Sequence, residues 1–226
     1  MKLYGIVGAG GFGREIIAFA YRALKKNFPM MHFKLVFVDV EKQTPSINQY
    51  PVFSIDEFFS FPATEWLFNV AIADFKNRRK MVAIMQERGA VPFQIKAESM
   101  ENVDPDHNDI GEGAIFCGFT TVTANAKIGK FFHANIYSYI AHDCIIGDYV
   151  TFAPSVHCNG NVIIEDNVYV GTNVIIREGK PSQPIVIGEG AVLGMGAVVT
   201  KNVLPHQTVV GNPARLLERK DKVKAP

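Results

Sequence analysis

Residues 110–176 read IGEGAIFCGFTTVTANAKIGKFFHANIYSYIAHDCIIGDYVTFAPSVHCNGNVIIEDNVYVGTNVII. Counting by six from Ile110 meets Phe116, Val122, Ile128, Ala134, Ile140, Ile146, Phe152, Cys158, Ile164, Val170 and Ile176, all of them apolar. Four residues after each anchor comes a second, mostly small or aliphatic set: Ala114, Thr120, Ala126, Phe132, Ser138, Cys144, Val150, Val156, Val162, Val168 and Val174. Glycine follows the anchor at Gly111, Gly129, Gly147 and Gly171, and after a break the pattern resumes at Ile187-Gly188, Leu193-Gly194 and Val199-Thr200. Neither a helix nor an alternating strand has this period. A fixed period marks an internal repeat and takes precedence over local readings.

Apolar positions four and then two residues apart fit a short strand, a tight corner and another short strand. Three such steps close a triangular coil, and each strand pairs with its copy in the next coil at about 4.8 Å. The anchors point inward and fill the prism. Gly, Asn and Asp are expected at the corners, where positive φ costs them least. The expectation is a parallel β-helix, a solenoid in which each coil needs its neighbours to bury its core.

Ahead of the repeat the pattern changes. Leu3 to Val7 reads as a buried strand, followed by Gly8-Ala9-Gly10-Gly11-Phe12-Gly13 and an apolar-periodic helix from Arg14 to about Lys26. Phe33 to Val38 is a second strand ending at Asp39, Ser54 to Glu57 is a capping-box pattern, Trp66 to Ala73 is a third strand, and Lys76 to about Arg88 is a helix. Strands alternating with helices imply βαβ units on a parallel sheet. With the solenoid starting near residue 103, the domains are expected at 1–100 and 103–217, with a tail at 218–226. About a hundred residues hold half of a full dinucleotide-binding fold. The G-x-G-x-x-G match at Gly8, Gly10 and Gly13 lies between a strand and a helix, where backbone N–H groups attract phosphate. The alternative is a tight strand–helix turn with no ligand. Asp39 is positioned to accept hydrogen bonds from a ribose or a base.

The 226 residues carry a net charge of +1 with no basic run, which gives no electrostatic footprint for nucleic acid. The first residues form too short an apolar run for a spanning helix and lack the signal-peptide pattern. Cys117, Cys144 and Cys158 form no CxxC pair and read as reduced buried thiols in a cytoplasmic protein.

Repeat arithmetic locates the chemistry. His142 stands two residues after the anchor Ile140, at a corner where side chains project outward. Its stacked copy is Gly160, and the next copy is Glu178, where the repeat breaks into residues 178–184. One corner therefore combines a histidine, a glycine N–H and a projecting loop. Asp143, adjacent in sequence, can orient the imidazole. A general base and an oxyanion donor follow from this set. An outward-facing surface histidine with no role is the competing reading. Cys144 lies at an inward position and reads as core.

At these residues a resemblance becomes close. Ile-Ala-His142-Asp143-Cys144-Ile-Ile-Gly147-Asp148, Asn159-Gly160-Asn161, Gly194 through Lys201 and Gly211-Asn212-Pro213-Ala214 are similar to the left-handed β-helix, hexapeptide-repeat acyltransferases. With the Rossmann-like half-domain in front, the chain resembles bacterial nucleotide-amino-sugar N-acetyltransferases and the related sialic acid O-acetyltransferases. The resemblance implies a homotrimer with acetyl-CoA between neighbouring β-helices and no metal. It implies His142 as general base, Asp143 as its acidic partner and Gly160 as donor to the thioester carbonyl. Asn135, Thr172 and Met195 would border the acetyl-CoA. Gly10, Gly11, Phe12, Asp39 and Arg78 would hold a nucleotide sugar, UDP-linked by this reading. Two departures stand out. Relatives commonly have His where Phe12 stands, and some carry a second His at the position of Thr151, for which His157 is a candidate substitute. The expected reaction is acetyl transfer to an amino group of a 4-amino-deoxysugar in polysaccharide or glycan biosynthesis. Sugar O-acetylation, a three-histidine zinc site on the same solenoid and a non-catalytic nucleotide-binding scaffold are the alternatives.

Overall fold

The computed structural model describes residues 1–30 and 32–218. Most of the expected tail, 219–226, lies outside them. Six strands form the N-terminal sheet: β1 (Lys2–Val7), β2 (Phe33–Val38), β3 (Ser46–Ile47), β4 (Tyr50–Phe53), β5 (Glu65–Val70) and β6 (Val91–Pro92), in the order β3-β4-β2-β1-β5-β6. Every pairing is parallel except the short β3–β4 hairpin. The connecting helices are α1 (Gly11–Asn27), α2 (Ile55–Ser60) and α3 (Phe75–Glu87).

Central β1 is apolar on both faces because both are covered. Tyr4 and Ile6 pack with Ile16, Ile17 and Ala20 of α1. Leu3 and Val7 pack with Phe58 of α2 and Met81, Val82 and Met85 of α3. The capping box opens α2 as expected: Ser54 Oγ accepts from the Glu57 N–H at 3.1 Å, and Glu57 Oε2 accepts from the Ser54 N–H at 2.7 Å. The third strand ends at Val70, short of the expected Ala73, and β3, β4 and β6 were not anticipated because two to four residues carry no readable period.

The remainder is a left-handed parallel β-helix with three flat faces. The first face runs from Ile95–Lys96 through Ile115–Phe116, His133–Ala134, Thr151–Phe152, Tyr169–Val170 and Val192–Leu193 to Thr208–Val210. The second runs from Glu101–Asn102 through Thr121–Val122, Tyr139–Ile140, His157–Cys158 and Ile175–Ile176 to Val198–Val199. The third runs from Asp109–Ile110 through Lys127–Ile128, Ile145–Ile146 and Val162–Ile164 to Ile185–Ile187. The ladder begins at Ile95, ahead of the expected start near residue 103. Register follows the repeat, with His133 beside Thr151 and Tyr139 beside His157, a spacing of 18. Past the break Tyr169 pairs with Val192, so 192 − 169 = 23 and the loop adds five residues.

All of the anchors after Ile110 and all of the second set are buried. The two hydroxyls among them are satisfied: Thr120 Oγ1 donates to the Cys117 carbonyl at 2.8 Å, and Ser138 Oγ donates to the Ala153 carbonyl at 3.0 Å. The corners depart from expectation. Positive φ recurs every sixth residue, and among these positions are Phe119, Phe131, Tyr137 and Tyr149 as well as Asn125, Asp143 and Asn161. A left-handed aromatic residue costs roughly 1–2 kcal/mol. Stacking between coils offsets it: Phe119 on Tyr137 (5.1 Å, 5°) and Phe131 on Tyr149 (5.5 Å, 15°), each worth about 0.5–1.5 kcal/mol.

The α/β unit sits on the first face. Ile95, Ile115 and Cys117 share a core with α1, and buried Phe131 stacks on Phe68 of β5 at 6.2 Å. Burial pushes the Cys117 thiol up to about 12. All three cysteines are buried and unpaired.

Candidate active site

The corner between the second and third faces carries His142 and Asp143. Asp143 takes the left-handed corner conformation (φ 57°), which Asp tolerates through its short polar side chain. Its N–H donates to the Ala124 carbonyl at 3.0 Å, and Asn125 Nδ2 donates to Oδ1 at 3.3 Å, so the carboxylate is held from the coil before. The free oxygen, Oδ2, lies 2.8 Å from His142 Nδ1. An ionised carboxylate only accepts. His142 therefore carries its proton on Nδ1 and offers a lone pair at Nε2, the tautomer a general base needs.

Above the ring lies Gly160. A Cβ there would fall 2.5 Å from His142 Cε1 and 2.7 Å from Nε2, so only glycine lets the imidazole lie flat over this coil. The Asn161 N–H donates to the His142 carbonyl at 3.1 Å and the Gly179 N–H to the Gly160 carbonyl at 2.9 Å. Among the described residues no carbonyl takes the Gly160 N–H itself. A free donor beside a base is the pairing that stabilises a developing oxyanion. Residues 178–184 leave this corner as the repeat predicts, closed by a bridge between Lys180 and Gln183. Glu178 Oε1 stands 3.7 Å from His142 Nε2. The hydrogen bond to Asp143, with the negative charges of Asp143 and Glu178, raises His142 above the ordinary imidazole value against a smaller desolvation effect.

The other expected residues gather elsewhere. Phe12, Asn135 and Thr172 line a cleft of about 170 Å³ at the corner between the first and second faces, with Ala73, His133 and Thr151. Met195 lies one coil above Thr172 on that corner and is exposed, and the Gly196 N–H donates to the Thr172 carbonyl at 2.8 Å. Asn135 is thus on a different corner from His142 in the same chain; its Oδ1 accepts from the Ile136 N–H at 2.9 Å.

The glycine loop has the geometry of an anion cradle. Gly8 has φ +99°, and a Cβ on Gly13 would overlap the Gly8 carbonyl at 1.9 Å, so the loop packs backbone on backbone. Gly10 faces open space, and the first turn of α1 has neither a side-chain cap nor an acidic residue. Its orphan N–H groups suit a phosphate. Gly10 and Asp39 line one pocket with Glu41, Gln43, Thr44 and Ser46, and Asp39 Oδ1 accepts from the Glu41 N–H at 3.1 Å.

Arg78 is a correction. The expectation put it on the nucleotide sugar, but it is fully buried on the inner face of α3. Its guanidinium donates to His133 Nδ1, to the Tyr149 carbonyl and, at 2.9 Å, to Thr151 Oγ1. His157 is a second correction: it stacks on Tyr139 of the second face at 5.1 Å, away from Thr151 on the first. The imidazole beside Thr151 is His133. Cys144 is core as expected, its Sγ donating to the Asn159 carbonyl at 3.2 Å. Among the described residues no group of three or more His, Cys, Asp or Glu side chains could hold a metal ion, and no helix is long and apolar enough to cross a membrane.

Comparisons with known proteins agree with this fold. Residues 5–85 match the family model of the PglD N-terminal domain, and residues 161–201 match that of the hexapeptide repeat of succinyl-transferase. The chain is 48% identical over 219 residues to the GDP-perosamine N-acetyltransferase of Escherichia coli O157:H7, covering 97% of this chain and 98% of the relative. The chain belongs to the hexapeptide-repeat acetyltransferases. Among solved structures, WeeI from Acinetobacter baumannii AYE is similar at 45% identity and a TM-score of 0.89, covering 96% of this chain and 100% of that one. The acetyltransferase domain of PglB from Neisseria gonorrhoeae FA1090, in complex with acetyl coenzyme A, superposes with a TM-score of 0.82 at 25% identity, covering 96% and 98%.

In this acetyltransferase two groups escaped the sequence. Repeat arithmetic brought the 178–184 break to the His142 corner but gave the Glu178 carboxylate no role. Arg78 and His133 lie 55 positions apart, and no pattern joins a helix of one domain to a strand of the other.

Proposed function

We propose that this acetyltransferase moves an acetyl group from acetyl-CoA to the amino group of a GDP-linked 4-amino-deoxysugar of the perosamine type, for surface polysaccharide or glycan synthesis. The observation that carries the reading is the His142–Asp143–Gly160 corner, a base with a fixed tautomer beside a free N–H. The near full-length likeness to a GDP-perosamine enzyme supports GDP over the UDP of the initial expectation. The three unpaired thiols support a reducing compartment, the cytoplasm.

A protonated amine has no lone pair to attack with. His142 Nε2 takes its proton, and Asp143 stabilises the imidazolium that results. The amine nitrogen then adds to the thioester carbonyl, whose oxygen gains negative charge and receives the Gly160 N–H. When the C–S bond breaks, the imidazolium returns its proton to the departing thiolate, and the nitrogen releases its surplus proton to solvent to leave the neutral amide. Glu178 places a second carboxylate beside Nε2, which favours a cationic amino sugar over a neutral hydroxyl acceptor. In one chain, however, the base and the cleft of Phe12, Asn135 and Thr172 occupy different corners of the prism. A threefold assembly sets one corner of a protomer against another corner of its neighbour, so we propose a homotrimer whose acetyl-CoA and amino sugar meet between protomers.

The test is product analysis by mass spectrometry with acetyl-CoA and GDP-, UDP- and dTDP-4-amino sugars. Acetylation confined to the amine of the GDP-linked acceptor is expected. Transfer to a hydroxyl, or preference for UDP, contradicts the reading.

A further inference from the structure

His133 is the point at which three parts of the α/β unit meet the β-helix. From the glycine loop, the Phe12 ring packs on its imidazole, centroid to centroid 5.3 Å. From α3, Arg78 donates to its Nδ1. From the segment after β5, the Ala73 carbonyl accepts from Thr151 Oγ1 at 3.4 Å, and that hydroxyl also accepts from Arg78 at 2.9 Å. His133 and Thr151 are paired neighbours on the first face. His133 is 1% exposed and Arg78 0%.

The chemistry of this contact is asymmetric. A guanidinium has donors only, so Nδ1 must accept and the ring must be neutral. Among the described residues Arg78 has no carboxylate in an ion pair; Tyr149, Thr151 and His133 supply its acceptors. A buried cation balanced by three neutral acceptors is an expensive way to hold two domains together, because its desolvation is only partly repaid. The apolar contacts of Phe68, Phe131 and Ile115 already do so. What the polar cluster adds is direction: a planar fork admits one ring orientation, and that ring fixes Phe12.

We infer that His133 and Arg78 form a positioning unit that sets the nucleotide-binding loop on the β-helix. Neither touches the reacting atoms. The unit acts through Phe12, which lies in the first turn of α1, next to Gly11 and the capping residue Gly10, where the orphan N–H groups suit a phosphate of the nucleotide. The cleft of Phe12, Asn135 and Thr172 has His133 as part of its wall, so the unit also sets the distance between the nucleotide loop and the acyl-bearing corner. This inference rests on the nucleotide reading of the loop.

The test is calorimetric binding of GDP and, separately, acetyl-CoA to the full chain. His133→Asn, which keeps an acceptor for Arg78 but withdraws the ring from Phe12, is expected to weaken GDP binding about tenfold, the scale of a small misplacement of positioned groups, and to weaken acetyl-CoA binding by clearly less, since the ring is only part of the wall of that cleft. Phe12→Leu is expected to do the same. The double variant is expected to lose about tenfold rather than about a hundredfold, since groups acting as one unit are not additive. Arg78→Lys, which replaces the fork by a single point of donation, provides the same readout if His133→Asn does not fold. Unchanged GDP binding in folded His133→Asn or Arg78→Lys, equal loss of GDP and acetyl-CoA binding, or multiplicative losses in the double variant would overturn the inference. Wild-type protein that binds GDP but transfers no acetyl group would instead sink the functional reading while leaving this one standing.

Discussion

The His142 imidazole lies against the α-carbon of Gly160, at a separation that leaves no room for a methyl group: a Cβ on Gly160 would come within 2.5 Å of Cε1. The eighteen-residue repeat stacks the proposed base on the proposed oxyanion donor, and the absence of a side chain lets them touch.

Gly160→Ala tests that contact. The added methyl must push the ring off the corner, while the backbone N–H and the coil remain. Displacing a catalytic group by about 1 Å costs on the order of 100-fold. Steady-state kinetics should show kcat/KM down by about that factor, with an unchanged circular dichroism spectrum and melting temperature.

Asp143→Asn should move the pH profile. The carboxylate raises the His142 pKa, and the base works only when neutral, so activity in the wild type rises as pH climbs through that raised value. Removing the charge lowers the pKa, and the acidic limb of kcat/KM should shift to lower pH. A fall in the plateau is also expected, because Asn donates as well as accepts and no longer specifies the Nδ1–H tautomer. A limb that stays where it is would remove Asp143 from the assignment.

Glu178→Gln should shift the same limb in the same direction, by less, since Glu178 contributes after Asp143. It should also raise KM for the amino sugar, and the rise should shrink as added salt screens the exposed carboxylate. A KM independent of both charge and salt would show that the 178–184 loop is a wall without electrostatic function.

The solenoid was legible because its period is long, strict and apolar; each of the twelve anchors from Ile110 to Ile176 lies where the count puts it. The stacking of His142, Gly160 and Glu178 followed from the same count. The corners were legible only in part. Asn125, Asp143 and Asn161 obey the preference for polar residues at positive φ, whereas Phe131 and Tyr149 are there because they stack on each other, a contact between coils that local preference does not encode. Arg78 is illegible for a related reason: the resemblance implies a contact with the nucleotide sugar, and only the packing of α3 against the first face shows the side chain buried on His133, Tyr149 and Thr151.

Phe131→Ala tests the domain junction. The ring is buried between Phe68 of the sheet and Tyr149 of the next coil. Truncating a buried Phe typically costs about 3–5 kcal/mol. A denaturant midpoint lowered accordingly is expected, the relief of left-handed strain being too small to compensate.

The most direct measurement is the rate of acetyl transfer by His142→Ala with acetyl-CoA and GDP-linked 4-amino sugar, on protein shown by circular dichroism and sedimentation to keep its fold and assembly. Loss of the general base should lower kcat/KM by about 10²–10⁴-fold, with acetyl-CoA binding retained. Turnover within a few-fold of wild type would contradict the assignment of His142 as the base.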